Sequence, residues 1–147
     1  MKKFNQGFTL IELLIVIAII GILGAVLFVS LGSPQADARD SKRLSDINSL
    51  QLALELYNNS NNEYPQALAS LVTDGQIGSV PVDPQGNSYS YAVNTDPATA
   101  YHLGITLEDT AHSALSGDAD ANSTPTGINY TNGFPGADPV YDVRVGS

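Results

Sequence analysis

The sequence predicts an α+β protein in which a long N-terminal helix packs on a small antiparallel β-sheet head. Three observations lead to this fold class. Residues 13–31 contain no charged side chain. Residues 44–57 carry apolar side chains at the spacing of one helix face. Later segments alternate apolar and polar side chains, as strands with one buried face do, and they fall at residues 89–93, 101–107 and 140–145.

Composition limits the classes of function. The chain has 147 residues, so after the apolar run it can form one small domain. Its 15 acidic residues outnumber its 6 Lys and Arg residues, which argues against binding nucleic acid through a basic face. The sequence contains no cysteine, which excludes disulfides, Cys-ligated zinc and thiol catalysis.

The apolar run has the length of a membrane span. As a helix rising 1.5 Å per residue, residues 13–31 extend roughly 28 Å, about one hydrocarbon core. Lys2 and Lys3 precede the run and the next basic residue is Arg39, so the positive-inside rule places the N-terminus in the cytoplasm. We therefore predict a single-pass precursor in the inner (cytoplasmic) membrane, with the rest of the chain exported.

A cleaved secretory signal is the alternative interpretation of this run. Ala36-Asp37-Ala38 has the A-x-A form of a signal peptidase site, which would leave a chain beginning at Arg39. Against it, the run exceeds the usual 7–15 apolar residues, and Glu12 precedes it. A carboxylate within a membrane-spanning helix costs ~2.5–3.5 kcal/mol, so its presence needs a reason.

The residues around Glu12 resemble the leader and cleavage site of type IV pilins and of the pseudopilins of type II secretion. A basic leader ends in Gly7, and Phe8, Thr9 and Glu12 follow at the spacing of that family. The resemblance implies that a prepilin peptidase cleaves after Gly7 and that the new first residue, Phe8, is N-methylated. It also implies that Glu12 pairs with the N-terminal amine of a neighbouring subunit. A partner of opposite charge would compensate the buried carboxylate, which makes Glu12 an assembly residue.

The resemblance implies partners as well as processing. They are other copies of the chain in a helical homopolymer, the prepilin peptidase, an inner-membrane assembly platform, minor pilins, and membrane lipid before assembly. The filament would lie in the periplasm or at the cell surface. The expected organisation is a leader at 1–7, a long helix at 8–59 with a transmembrane or assembly part at 8–31, and a head at 60–147.

The upper part of the helix and the head follow from local patterns. Leu44, Ile47, Leu50, Leu54 and Tyr57 form one stripe, which Leu52 and Leu56 are expected to widen, and Pro34 is expected to kink or unwind the helix. A short helix is expected within residues 62–75. The next segment resembles the P-x-D-P-x-G-x-x-Y-x-Y element of the major pseudopilins, and the matching residues are Pro81, Asp83, Pro84, Gly86, Tyr89 and Tyr91.

An acidic loop is predicted near residues 108–138. Asp118, Asp120 and Asn122 place oxygen ligands at alternate positions, as an EF-hand loop begins, but Ser123 and Asn129 replace its later Gly and Glu. Major pseudopilins carry calcium in a C-terminal loop, so the resemblance makes Asp118 and Asp120 candidate calcium ligands. Glu108 or Asp138 are candidate helpers, and an ordinary solvated acidic loop is the alternative. No cofactor is required by this interpretation.

Enzymatic chemistry is not predicted. His102 and His112 are the two histidines, and the sequence places no Ser or Asp beside either of them. The function predicted is that of a structural subunit of a type IV pilus or of a type II secretion pseudopilus-like filament. The alternative is a membrane-anchored or secreted acidic binding module, in which the apolar run is only an anchor or a signal peptide.

Overall fold

A computed structural model describes residues 8–29, 32–95, 97–124 and 130–146. The predicted leader at 1–7 and Asn129 lie outside these residues. The elements, in chain order, are α1 (Leu10–Val29), α2 (Gly32–Asn61), α3 (Ala69–Thr73), β1 (Ser90–Asn94), β2 (Tyr101–Thr106), a 3-10 helix (Ser113–Gly117), β3 (Tyr130–Thr131) and β4 (Val140–Val145). The predicted α+β class is confirmed.

The chain divides into two compact units, Met1–Gln35 and Ala36–Ser147. The first unit contains α1, whose side chains are exposed from Leu10 to Leu23. Among the described residues, no helix combines the length and the apolar character needed to cross a membrane. The membrane-spanning part of the helix therefore stays a prediction.

The helical region 8–59 is described as two helices, with residues 30 and 31 between them outside the described part. Pro34 lies in the first turn of α2. The expected kink or unwinding at Pro34 involves the backbone hydrogen bond that it cannot donate to Ser30, which lies outside the described residues, so it stays a prediction.

The predicted apolar stripe of α2 is confirmed at Ile47, Leu50 and Leu54, which are fully buried. The expectation that Leu52 and Leu56 widen it is wrong, because they are 63% and 45% exposed. Leu52 stands two residues from both Leu50 and Leu54, which is about 200° around the helix and thus on the opposite face.

The second unit contains one antiparallel sheet with the strand order β3-β1-β2-β4. The three predicted strands are present, and the two-residue β3 was missed because it is too short to show alternation. Tyr101, Leu103 and Ile105 of β2 belong to the same core cluster as the stripe of α2. His102 and Gly104, on the other face of β2, are also buried, so this strand is covered on both sides.

A buried arginine on α2 connects the helix to two loops. Arg43 is 1% exposed. Its Nη1 donates to Asp40 Oδ1 at 2.6 Å and to Glu108 Oε1 at 2.8 Å. Its Nε donates to Asp83 Oδ1 at 2.5 Å, and its Nη2 donates to Gln85 Oε1 at 3.0 Å. The guanidinium thus meets three carboxylates from three segments of the chain.

The same carboxylates also accept backbone hydrogen bonds. Asp40 accepts from the N–H groups of Glu108 and Asp109 at 2.9–3.1 Å, just after β2. Asp83 accepts from the N–H groups of Gln85 and Asn87 at 3.1 and 3.3 Å, which holds the turn before β1. Each carboxylate therefore fixes a loop backbone against α2.

These contacts give a physical reason for the P-x-D-P-x-G-x-x-Y-x-Y element. Asp83 is its buried anion, Tyr89 Oη donates to Asp46 Oδ2 at 2.7 Å, and Tyr91 Oη donates to the Pro65 carbonyl oxygen at 2.7 Å. The element anchors the first strand to α2 and to the segment before α3.

Replacing Arg43 by methionine should strongly destabilise the head. The change leaves Asp40 and Asp83 buried without their cation, and breaking a buried pair in this way costs about 3–5 kcal/mol. The comparison variant is Lys42→Met, whose side chain is 55% exposed and pairs with the buried Asp46; it should cost less than Arg43→Met, because Asp46 keeps the hydrogen bond from Tyr89 Oη. Both free energies of unfolding are measured by chemical denaturation of the full chain in detergent. The circular dichroism of its 7 tyrosines monitors the unfolding.

The pH dependence of the free energy of unfolding provides a second test of the role of Arg43. The hydrogen bond from Arg39, assisted by Arg43, lowers the pKa of Glu108 from its usual 4.5 to about 2, and the hydrogen bond from Arg43 lowers the pKa of Asp83. Carboxylates with a lowered pKa stabilise the fold above their unfolded pKa and lose that contribution as the pH falls towards the folded value. The wild-type stability should fall between about pH 4.5 and 2, and an equal fall in Arg43→Met would contradict this role for Arg43.

Candidate functional sites at the helix start and the acidic loop

The first helix begins with a reciprocal cap that uses Glu12. The backbone N–H and the hydroxyl of Thr9 donate to Glu12 Oε2 at 2.8 and 2.7 Å. The Glu12 N–H donates to Thr9 Oγ1 at 3.3 Å. This is a capping box, which satisfies backbone donors that the first turn of a helix leaves free.

Glu12 is therefore not an unpaired carboxylate within its own chain. It is exposed, as is Phe8, which is 82% exposed and precedes the capping box. Gly7 lies outside the described residues. Thr9 therefore orients the carboxylate for which the resemblance to pilins implies a role in assembly.

Three aspartates come together at the acidic loop. Asp118, Asp120 and Asp138 each offer a carboxylate oxygen, and these oxygens lie within 4.8 Å of one another. Burial raises the pKa of Asp118, and the negative charges of Asp142, Asp120 and Asp138 raise it further. The structure thus brings together the two predicted ligands and one predicted helper.

Glu108, the other predicted helper, lies in the arginine network instead. Its two carboxylate oxygens accept from Arg39 Nε and Nη2 at 2.7 and 2.6 Å, and Oε1 also accepts from Arg43. Ser123, at the position where an EF-hand has glycine, is 2% exposed and contacts the sheet. The loop is therefore not an EF-hand.

The aspartate cluster fits a hard divalent cation. All of its ligand atoms are oxygens, which calcium prefers. Within the described part of the chain, Asp118 Oδ1 and Asp142 Oδ1 are buried and have no hydrogen-bond partner. Both residues line the same open cavity of about 290 Å³. A buried unpartnered carboxylate oxygen is costly, and a cation bound by Asp118 would compensate its oxygen and lie near the charge of Asp142.

Comparison with known proteins identifies the family. The model of the prokaryotic N-terminal methylation motif matches residues 2–28. Core protein G of the type II secretion system from Pseudomonas aeruginosa is 32% identical over 137 residues, which cover 81% of this chain and 94% of that protein. The chain belongs to the type IV pilin and type II secretion pseudopilin family.

Two further members support this assignment. Type IV wide pilus major component PilA4 of Thermus thermophilus is 38% identical over 102 residues, covering 69% of this chain and 77% of that protein. Type II secretion system core protein G of Pectobacterium carotovorum subsp. carotovorum is 38% identical over 101 residues, covering 58% of this chain and 65% of its own length. The resemblance predicted from the sequence is confirmed.

This pseudopilin-family chain also contains a buried cluster that the sequence analysis missed. His102 Nε2 lies 2.6 Å from Asp142 Oδ2, and His102 Nδ1 lies 2.8 Å from Ser123 Oγ. Burial lowers the pKa of His102 despite the hydrogen bond and charge of Asp142, so the ring is neutral at neutral pH. Because a carboxylate only accepts hydrogen bonds, the tautomer protonated at Nε2 suits Asp142, and it leaves Nδ1 as an acceptor facing the Ser123 hydroxyl.

The Ser–His–Asp composition of this cluster does not make it a hydrolase site. His102 and Asp142 are fully buried, and the Phe134 ring stacks on the imidazole with the centroids 3.9 Å apart. The imidazole also has the opposite orientation, because in a hydrolase triad Nε2 faces the serine. The cluster connects the sheet to the acidic loop.

Strand register explains why the cluster was missed. Gly104 pairs with Asp142 and His102 pairs with Arg144, so His102 and Asp142 are diagonal neighbours on one face of the sheet. The sequence does show that polar residues interrupt the apolar pattern of β2 and β4. It does not show that the loop folds back over that face.

Removing the Thr9 hydroxyl should loosen the start of α1. Thr9→Val keeps the shape of the side chain but loses both hydroxyl hydrogen bonds to Glu12, so the first-turn amides should open more often. Hydrogen exchange of the full chain in detergent should show a several-fold increase confined to the first turn. Thr9→Ser retains the hydroxyl and serves as the control, and equal exchange in both variants would show that the capping box does not hold this turn.

Proposed function

We propose that this chain polymerises, through α1, into a helical filament of the type II secretion pseudopilus or type IV pilus kind. The observation that carries the proposal is the first helix, which presents an oriented carboxylate at Glu12 followed by exposed apolar side chains. Leu13, Ile17 and Ile20 are 58%, 60% and 62% exposed. An apolar surface of this kind requires lipid or another protein as its partner.

The precursor form is proposed from the sequence. Residues 13–31 lack charge and Lys2 and Lys3 precede them, which supports a single-pass inner-membrane precursor with a cytoplasmic N-terminus. Cleavage after Gly7 by a prepilin peptidase and methylation of Phe8 would follow. The match of residues 2–28 to the methylation motif supports this order of events.

On assembly, the apolar helix α1 leaves the lipid and packs against other copies of the chain. Membrane lipid solvates α1 before assembly, and an inner-membrane assembly platform and minor pilins assist its transfer. The filament then lies in the periplasm or at the cell surface. In it, the Glu12 carboxylate faces the N-terminal amine of a neighbouring Phe8, which compensates a charge that lipid disfavours. The role of the chain is structural and not enzymatic.

We also propose that the acidic loop binds calcium through Asp118 and Asp120, with Asp138 as a third carboxylate. Two facts support this assignment, namely the grouping of the three oxygens and the buried unpartnered oxygen of Asp118. Since the chain has no cysteine, a disulfide cannot close this region. A cation shared by Asp118 and Asp138 would connect an inner part of the loop to its end.

Processing and assembly can be tested together. In cells with a prepilin peptidase, intact mass and terminal peptide mapping should show a chain that begins at N-methylated Phe8, and this form should be lost without the peptidase. Glu12→Leu should be processed but should not form filaments, because the neighbouring amine loses its partner. Electron microscopy of sheared filaments measures the second outcome.

The control is Glu63→Leu, which removes an exposed carboxylate from the head and should assemble normally. A mature chain that begins at Arg39 would show that the apolar run is only a secretion signal. Filament formation by Glu12→Leu at the wild-type level would remove Glu12 from the assembly mechanism.

Calcium should raise the thermal stability of the wild-type chain, and Asp118→Asn should abolish the increase. A ligand at 100 times its dissociation constant stabilises the folded state by about 2.7 kcal/mol. Thermal unfolding of the full chain in detergent, with calcium or with a chelator, measures this difference. Asp74→Asn, at an exposed carboxylate after α3, should retain the calcium response. Equal responses in the wild type and Asp118→Asn would exclude Asp118 as a ligand.

A further inference from the structure

We propose that His102, Ser123 and Asp142 form a positioning unit that holds the acidic loop in the conformation in which its carboxylates bind a cation. This inference rests on the calcium site proposed above and assigns it a buried support from the sheet. The three residues are positioning residues, since the aspartates of the loop are the proposed ligands.

Asp142 contacts the loop on both sides of Asp120. Its backbone carbonyl oxygen accepts from the Ala119 N–H at 3.1 Å, and its Oδ2 accepts from the Ala121 N–H at 2.9 Å. Its own N–H donates to Asp118 Oδ2 at 3.3 Å. One strand residue therefore fixes the backbone that carries Asp120 and also contacts the carboxylate of Asp118.

Close packing fixes Asp142 in turn. His102 Nε2 donates to the same Oδ2 atom at 2.6 Å. The N–H of Gly136 donates to the Ala121 carbonyl oxygen at 2.7 Å, and a Cβ at Gly136 would collide with both Asp142 Oδ2 and that carbonyl oxygen. Only glycine allows the returning segment to approach this closely. The loop, the carboxylate and the imidazole thus have little freedom to move separately.

The other nitrogen of the imidazole holds the far part of the loop. His102 Nδ1 lies 2.8 Å from Ser123 Oγ, within hydrogen-bond distance. Ser123 Oγ accepts from the Phe134 N–H at 2.9 Å, and the Ser123 N–H donates to the Phe134 carbonyl oxygen at 3.1 Å. The Phe134 ring then covers the imidazole. His102 therefore connects Asp142 of β4 to the segments that contain Ser123 and Phe134.

The carboxylate oxygens without hydrogen-bond partners support a role of this arrangement in cation binding. Asp142 uses Oδ2 for His102 and Ala121, while its Oδ1 is buried and has no hydrogen-bond partner among the described residues. Asp118 Oδ1 is also buried and has no hydrogen-bond partner among the described residues. Both aspartates line one cavity, which Gln51, Tyr141 and Arg144 also border. A loop held only for stability would gain nothing from two buried carboxylate oxygens without partners.

The test measures calcium affinity separately from folding. Calcium alone is titrated calorimetrically into the full chain in detergent, and the thermal unfolding of each calcium-free variant is recorded. His102→Asn loses the donor to Asp142 because its amide reaches only the Nδ1 position, and it should weaken calcium binding about 10–100-fold, as loss of a partner behind metal ligands does. His102→Gln can reach the Nε2 position and should recover part of the affinity.

His112→Asn is the matched control, since it makes the same change at the other histidine, which caps the 3-10 helix at Ala114. It should bind calcium as the wild type does. In the wild type, the ring proton resonances of His102 should shift on addition of calcium while those of His112 stay in place. Ser123→Ala keeps the His102–Asp142 pair, so it provides the decisive affinity measurement if His102→Asn does not fold.

The outcomes separate the two proposals. If His102→Asn or Ser123→Ala unfolds at a lower temperature but binds calcium with wild-type affinity, the cluster is only structural and this inference is wrong, while the calcium site stands. If the wild type does not bind calcium, or Asp118→Asn binds equally well, the calcium proposal fails and this inference fails with it. Weakened binding in the positioning variants, with partial recovery in His102→Gln, supports both.

Discussion

The head depends on one buried cation. Arg43 of α2 is almost fully buried, and it satisfies carboxylates from α2 itself, from the turn before β1 and from the segment after β2. A buried ion pair contributes little net stability compared with apolar packing, but it allows only the arrangement in which every charge is paired. Together with the apolar core shared by α2 and the strands, this requirement constrains how the loops flanking the sheet meet the helix, because Asp40, Asp83 and Glu108 converge on one guanidinium.

The same principle, a charge that requires a defined partner, recurs at the start of α1. Glu12 has an intrachain partner in Thr9 and remains exposed. The capping box orients the carboxylate without enclosing it. In the proposed filament, the amine of a second chain supplies the positive charge that the capping box lacks. Charge pairing would then specify the register between copies, while the exposed apolar side chains of α1 supply the buried area.

The acidic loop differs from the Arg43 network, because the three side chains that meet there, Asp118, Asp120 and Asp138, are all carboxylates. These aspartates approach one another, and the buried pair of His102 and Asp142 lies on the adjacent sheet. Repulsion among these carboxylates opposes closure of the loop, and the calcium ion proposed above would relieve it. Strand β2 is buried on both faces, with the core shared with α2 on one side and His102 beneath Phe134 on the other.

The sequence by itself determined the family, the helices, three strands and the residues of the assembly and calcium proposals, because leader, apolar run and alternation are local patterns. Tertiary structure alone decided the partners: that Asp83 binds Arg43, that Glu108 joins Arg43 and not the acidic cluster, and that His102 lies beside Asp142. These pairs are 40 to 65 residues apart. Such contacts depend on strand register and loop closure, which no local pattern specifies.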